Sequence, residues 1–111
     1  MVSPSSNELL FLYLAMSCYA VSEVLVVERN RKQCSVYYVN HILTGAKLLY
    51  LLIEKLAYAL LIVSRKFRPY FESHHVTVLT DQPLRRMLEK YRSLGRMMKW
   101  AIELAPYGIS Y

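Results

Sequence analysis

The apolar residues of this chain change their spacing once, near Lys47, and this change constrains the fold more than any other feature. Residues 9–14 are uniformly apolar, and residues 20–27 and 34–39 are rich in β-branched and aromatic side chains, which is typical of strands. Short polar or mixed segments at 17–19 and 28–33 separate them as turns. The first forty residues therefore predict an antiparallel meander of three strands.

From Lys47 onward the apolar positions recur every three or four residues, as on one face of a helix. This predicts a long helix over 47–68. Pro69 ends it, because a proline disfavours helical backbone in the residue before it. A short strand follows at 76–79, and Pro83 opens a second helix that runs to about Lys90. A third helix carries an apolar stripe, and residues 108–111 begin another strand. The stripe consists of Leu94, Met97, Met98, Ala101, Ile102 and Ala105.

The order of these elements predicts an α/β fold. A meander that enters a helix and then a new strand needs a right-handed crossover, which gives a mixed sheet with helices on its faces. The length of 111 residues suits one domain. We expect residues 1–8 to form a mobile tail and residues 9–111 to form the domain, truncated in its last strand.

The charged residues narrow the function classes. Fourteen basic against eight acidic residues give a net charge of +6, which favours polyanions such as nucleic acid or anionic lipid. Asp81 is the only aspartate, so chemistry that needs several clustered aspartates is disfavoured. Cys18 and Cys34 lack metal-ligand spacing, which predicts free thiols, a reducing compartment and no structural zinc.

Two strongly apolar runs, at residues 9–21 and 56–63, raise the question of a membrane span. Both are shorter than the roughly 18 residues that a spanning helix needs. The N-terminal segment also lacks the basic residues of a secretory signal. We therefore expect a cytoplasmic or nuclear protein that is not secreted and has no membrane partner. A membrane-surface protein is the alternative if the apolar stripes prove to be exposed.

Several motifs from Val36 onward resemble a known family. These are VYYVNH, EKLAYAL, RKFRPYF, VLTDQPL and GRMMKWAIEL. They are similar to YYVSK, EKLALAL, RKLRPYF, VLTDQPL and GRLVKWAIEL in the RNase H-like domain that follows the reverse transcriptase of gypsy-type LTR retrotransposons, particularly plant elements. The resemblance extends over roughly residues 9–111, and its first twenty residues match only loosely. It implies the ribonuclease H fold.

The family's reaction cleaves the RNA strand of an RNA–DNA hybrid. It requires two Mg²⁺ ions about 4 Å apart, held by converging carboxylates. The resemblance implies four such positions: on the first strand, on the first helix, after the fourth strand and near the C-terminus.

Matching these positions residue by residue leaves one carboxylate. The first-strand TDAS pattern falls on residues 14–17 and places Ala15 at the first aspartate. The helix pattern EKELLA falls on residues 54–59 and places Leu56 at the glutamate, and Glu54 lies about 200° away around the helix. Asp81 matches the third position, and the fourth lies beyond Tyr111. The resemblance thus implies a degenerate site with Asp81 as its sole retained catalytic carboxylate. We expect no bound metal and no cofactor, with Mg²⁺ required only if the chain is active.

Asp81 also has a simpler role open to it, as the N-cap of the helix that Pro83 begins. Two basic clusters are candidates for nucleic-acid binding: Arg92, Arg96 and Lys99, and Arg65, Lys66 and Arg68. Each has an alternative as well. The first suits a solvated helix face, and the second suits cations at a helix C-terminus.

We therefore expect a retrotransposon-derived RNase H-like domain without nuclease activity. Its predicted role is to support reverse transcription by holding an RNA–DNA or DNA duplex without sequence preference, beside an adjacent reverse transcriptase domain. The alternatives are an active Mg²⁺-dependent hybrid ribonuclease and a transposon remnant without function.

Overall fold

A computed structural model describes residues 3–5, 7–17, 19–45, 52–81, 86 and 95–111. The three predicted meander strands are present as β1 (Leu10–Met16), β2 (Ala20–Arg29) and β3 (Lys32–Ile42). Each extends two or more residues beyond its predicted span, because the ladder continues into the turns. The tight β2–β3 turn holds Asn30 and Arg31 at positive φ angles of 50° and 65°, which places both in the left-handed region.

The helices follow as α1 (Leu52–Lys66), α2 (Arg68–Ser73) and α3 (Gly95–Leu104), and β4 (Val76–Leu79) lies between α2 and α3. The sequence prediction missed α2. Pro69 does not end the helical region but lies in the first turn of α2, where no intrahelical donor is needed from its nitrogen. Residues 47–51 of the first predicted helix lie outside the described residues. So does the predicted helix over 83–90, except for Arg86, which is helical.

The sheet has the strand order β3-β2-β1-β4. β1 and β2 are antiparallel, as are β2 and β3, whereas β4 runs parallel to β1. The predicted mixed α/β sheet is therefore confirmed. The predicted last strand is represented by a single parallel bridge between Thr77 and Ser110 on the outer side of β4.

The core lies between α1 and one face of the sheet. Leu10, Leu12 and Leu14 of β1 point into it and are at most 3% exposed, and α1 contacts β1, β2 and α3. No helix of the described residues is long and apolar enough to cross a membrane.

The predicted apolar stripe of α3 is only partly buried. Met97 and Leu104 face the core, whereas Met98 and Ile102 are 50% and 67% exposed. These two side chains stay exposed because α3 packs mainly against α1, and a single neighbouring helix covers less of the surface of α3 than a sheet would.

The N-terminal segment, predicted to be a tail, contacts the sheet at its described residues. Arg29 binds both carboxylate oxygens of Glu8, at 2.7 and 2.9 Å, and the carbonyl of Ser3. The Arg29 hydrogen bond, followed by that from the Ser5 amide, lowers the pKa of Glu8 to about 2. The mobility of residues 1–8 in solution stays a prediction.

Candidate catalytic cleft and basic surfaces

The parallel pairing of β1 and β4 brings Ala15 close to Asp81. Tyr13 pairs with Leu79 in this ladder. Because both strands run in the same direction, two further residues along each chain reach Ala15 and Asp81. Both residues line one cavity of about 490 Å³ at this end of the sheet. Two of the positions that the resemblance assigns to converging carboxylates therefore lie side by side.

The walls of this cavity are mostly apolar, and Asp81 is its only carboxylate among the described residues. The lining residues are Tyr13, Leu14, Ala15, Ser22, Val24, Leu79, Thr80 and Asp81. No group of three histidine, cysteine or acidic residues capable of holding a metal occurs in the described part of the chain. A pair of Mg²⁺ ions needs several carboxylate oxygens. The donor set of the cavity therefore does not fit a two-metal centre.

Leu56, at the position that the resemblance assigns to a glutamate, has a different environment. Its side chain is fully buried in the hydrophobic core and does not line the cavity. Glu54, in the first turn of α1, is also buried and absent from the lining. The structure therefore brings together two of the three assigned positions within the chain, on the sheet face opposite to the one that α1 covers.

Two of the three predicted phosphate-binding cations near the junction of α1 and α2 are engaged in ion pairs. Arg65 donates to both carboxylate oxygens of Glu103 at 2.7 and 2.8 Å, and Arg68 donates to Glu72 at 2.8 Å. The hydrogen bond from Arg65 lowers the pKa of Glu103. Both pairs line an open groove of about 520 Å³. The carboxylates occupy the Nε donor of each guanidinium group and offset its charge, so a phosphate would compete with them for these arginines.

Lys66, the third cation of this cluster, is exposed and lies over an aromatic ring. Its Nζ is 4.5 Å from the centre of the Tyr37 ring and 3.4 Å from the Tyr37 hydroxyl, to which it donates. The Tyr37 ring in turn packs edge-on against Phe67 at 4.8 Å. These contacts place the ammonium group at the surface between β3 and the end of α1.

The second predicted basic cluster lies on and before α3. Lys99 is exposed on α3, and Arg96 belongs to the first turn of the same helix. Arg92 lies outside the described residues. Within the described part of the chain, Lys99 forms no ion pair with a carboxylate, so its ammonium group is open to an anionic partner.

One ionisable pair, Glu23 and His41, was not predicted from the sequence. Glu23 is fully buried on β2, and its Oε1 lies 3.2 Å from Nε2 of His41 on β3. Burial raises the pKa of Glu23 to about 8, and the positive charge of Lys66 opposes this shift. A signal was present in the sequence. Side chains two residues apart in a strand point to the same face, so Glu23 shares the core-facing side of β2 with Val21, Leu25 and Val27.

Comparison with protein-family models gives a match over nearly the whole chain. The model of the RNase H-like domain found in reverse transcriptase matches residues 5–107. A search of curated protein sequences found no match.

Among solved structures, the chain is similar to the foamy viral protease-reverse transcriptase in complex with dsDNA. The TM-score is 0.68 at 16% sequence identity. The similarity covers 98% of this chain and 24% of the foamy viral chain, so this chain spans about a quarter of the length of that protein. At this level of identity the likeness shows the fold alone, and it agrees with the fold predicted from the sequence.

Proposed function

We propose, from the premise that this chain belongs to the family of RNase H-like domains found in reverse transcriptase, that it holds a nucleic-acid duplex for reverse transcription and does not cleave it. The observation that carries this proposal is the cavity beside β1 and β4, where Ala15 stands next to Asp81. One carboxylate cannot balance the charge of two Mg²⁺ ions.

A cleavage assay tests the missing activity. We expect the purified chain to leave an RNA–DNA hybrid with end-labelled RNA intact in the presence of Mg²⁺ or Mn²⁺. The Asp81→Asn variant is the matched control, because it removes the remaining carboxylate of the cavity. Cleavage by the wild type that this variant abolishes would show an active nuclease and contradict the proposal.

The duplex-holding role rests on charge. The chain carries a net charge of +6, and Lys99 is exposed on α3. Contacts of cations with phosphates position a protein on a duplex without reading its sequence. We expect a dissociation constant of roughly 10⁻⁴ to 10⁻⁶ M at physiological salt, with an affinity that falls steeply as salt rises.

Two charge-reversal variants test which surface contacts the duplex. The first combines Arg96→Glu with Lys99→Glu on α3, and the second combines Arg31→Glu with Lys32→Glu at the β2–β3 turn. Both change the net charge equally. We expect the α3 variant to bind a fluorescent duplex much more weakly than the turn variant. Equal losses of affinity in the two variants would mean that α3 acts only through the net charge of the protein and would contradict the proposal. Binding that depends on the sequence of the duplex would also contradict it.

We further propose an origin in a gypsy-type LTR retrotransposon of a plant. The support is the set of motifs from Val36 onward, above all VLTDQPL around Asp81. The role beside a polymerase domain follows from that origin. The genomic sequence that flanks the reading frame tests it. Reverse transcriptase sequence upstream would support the origin, whereas flanks without any such sequence would favour a remnant.

A further inference from the structure

The Glu23 carboxyl group is enclosed in the core without a hydrogen-bond donor among the described residues. Glu23 is 0% exposed, and neither of its carboxylate oxygens has a hydrogen-bond partner among the described residues. Its side chain shares the core-facing side of β2 with those of Val21 and Leu25. An isolated ionised carboxylate in such a place is costly, so the group is expected to retain a proton or share one with a neighbour.

The neighbours that face Glu23 come from three elements. On β3, Val39 pairs directly with Glu23, and His41 lies one core-facing position further along, in ion-pair contact at 3.2 Å. On β1, the paired residue is the apolar Leu14. From α1, Lys66 acts on Glu23 through its charge, although its ammonium group is exposed beside Tyr37. Among the described residues, His41 is therefore the group placed to share a proton with Glu23.

Either arrangement of one proton leaves this pair electrically neutral. A protonated Glu23 faces a neutral imidazole, or an ionised Glu23 faces an imidazolium. Loss of that proton leaves a buried negative charge between β2 and β3. The imidazole of His41 is about one-third exposed, with 34% of its side-chain surface accessible, so water needs to enter only a short distance to reach the carboxylate.

Because His41 lies on β3, loss of the shared proton affects the pairing of β3 with β2. Within the described sheet, β3 lies at the edge and pairs only with β2, and the main contacts of α1 with the sheet are with β1 and β2. We propose that the Glu23–His41 pair retains one proton in the folded protein, and that loss of this proton releases the edge strand β3 from β2. This pH-dependent release is independent of the proposed duplex binding.

The sign of the effect follows from proton counts. The pKa of Glu23 is raised from 4.5 to about 8 in the fold, so the closed state retains a proton that the opened state loses. Above about pH 6.5 a free imidazole is neutral too, and the opened state then has no proton on either group. Between about pH 6.5 and 8, opening therefore releases one proton and becomes up to about tenfold more favourable per pH unit. Above about pH 8 the dependence levels off.

Hydrogen exchange of the backbone amides tests this release. Protection factors, corrected for intrinsic exchange, are measured by mass spectrometry from about pH 6.5 to 9 for the wild type, Glu23→Gln and Glu28→Gln. The side-chain amide that Glu23→Gln introduces resembles a permanently protonated carboxyl group. Glu28 is an exposed glutamate on the same strand, which makes Glu28→Gln the matched control.

In the wild type and in Glu28→Gln, we expect protection of β3 to fall by up to about tenfold per pH unit between about pH 6.5 and 8, while β1 and β4 keep theirs. In Glu23→Gln, β3 should lose this dependence. An unchanged slope in Glu23→Gln would overturn the proposal, and so would an equal loss of protection in all four strands. If Glu23→Gln does not fold, the ¹³C shift of the Glu23 carboxyl group in the wild type decides. A midpoint near 8 supports the proposal, and a midpoint near 4.5 overturns it.

Discussion

Ala15 and Leu56 occupy two positions that the sequence resemblance assigns to acidic residues, yet their surroundings differ. Ala15 is exposed on the rim of the cavity that contains Asp81. Leu56 is fully buried between α1 and the sheet. A carboxylate would therefore be solvated at the first position and deprived of water at the second.

We expect Ala15→Asp to fold normally and to bind Mn²⁺ about tenfold more tightly than the wild type, a gain of about 1.4 kcal/mol, because two carboxylates then face one ion. Leu56→Glu should lower the free energy of unfolding by about 3 kcal/mol or more, since it places an acid in the core. Calorimetric titration and urea unfolding measure the two effects.

The combination of Ala15→Asp with Asp81→Asn is the control for metal binding and should return the affinity to the wild-type level. If Leu56→Glu is as stable as the wild type, and the double variant Ala15→Asp with Leu56→Glu binds Mn²⁺ more tightly still, then α1 can present residue 56 to the cavity. That result would contradict the burial of Leu56 in the core.

At the scale of elements, α1 and α3 are joined at their surface by the ion pair between Arg65 and Glu103. The guanidinium group donates two hydrogen bonds, at 2.7 and 2.8 Å, but the two side chains are 55% and 37% exposed. Solvent therefore screens the attraction, and its contribution to stability stays small.

A double-mutant cycle with Arg65→Ala and Glu103→Ala should give a coupling free energy of about 0.5 to 1 kcal/mol at low salt. The pair of Arg68 and Glu72 within α2 serves as the comparison and should give a weaker coupling, because both side chains are more exposed. The first pair is expected to be stronger because its two hydrogen bonds connect different helices. Thermal or urea unfolding at two salt concentrations measures both couplings. A coupling for Arg65 and Glu103 that does not exceed that of the α2 pair would contradict this expectation.

At the scale of the whole molecule, the C-terminal residues extend the sheet beyond β4. The amide of Val78 donates to the carbonyl of Ser110 at 2.7 Å, and the amide of Ser110 donates to the carbonyl of Val76 at 3.1 Å. The Ser110 hydroxyl also lies 2.7 Å from Nε2 of His75. These bonds cover an edge of the sheet that would otherwise be open.

Deletion of residues 109–111 should lower the free energy of unfolding by about 2 to 4 kcal/mol, from the lost hydrogen bonds and the lost packing of Ile109. It should also favour self-association, because β4 becomes a free edge. The Ser110→Ala variant removes only the hydroxyl contact and should lose about 1 kcal/mol. Urea unfolding and light scattering measure the two effects. A deletion variant as stable and as monomeric as the wild type would show that the bridge to β4 contributes nothing.

Local steric preferences and hydrophobic periodicity are properties of the sequence alone, and they determined most of the helices and strands of this protein. The alternation of strand residues and the helical spacing after Lys47 predicted β1 to β4, α1 and α3. The right-handed crossover and the mixed sheet followed from the order of these elements. The same patterns did not predict α2, because Pro69 permits either the end of a helix or the first turn of a new one.

Only the tertiary structure decided which side chains meet across the fold. Arg65 and Glu103 are 38 residues apart in the chain, and their ion pair depends on how α1 packs against α3. The same packing leaves Met98 and Ile102 exposed. The proximity of Glu23 to His41 requires the register of β2 against β3. Periodicity specifies the face of a helix or strand on which a residue lies. Which other element packs against that face depends on the whole chain, because contacts between residues distant in sequence form cooperatively.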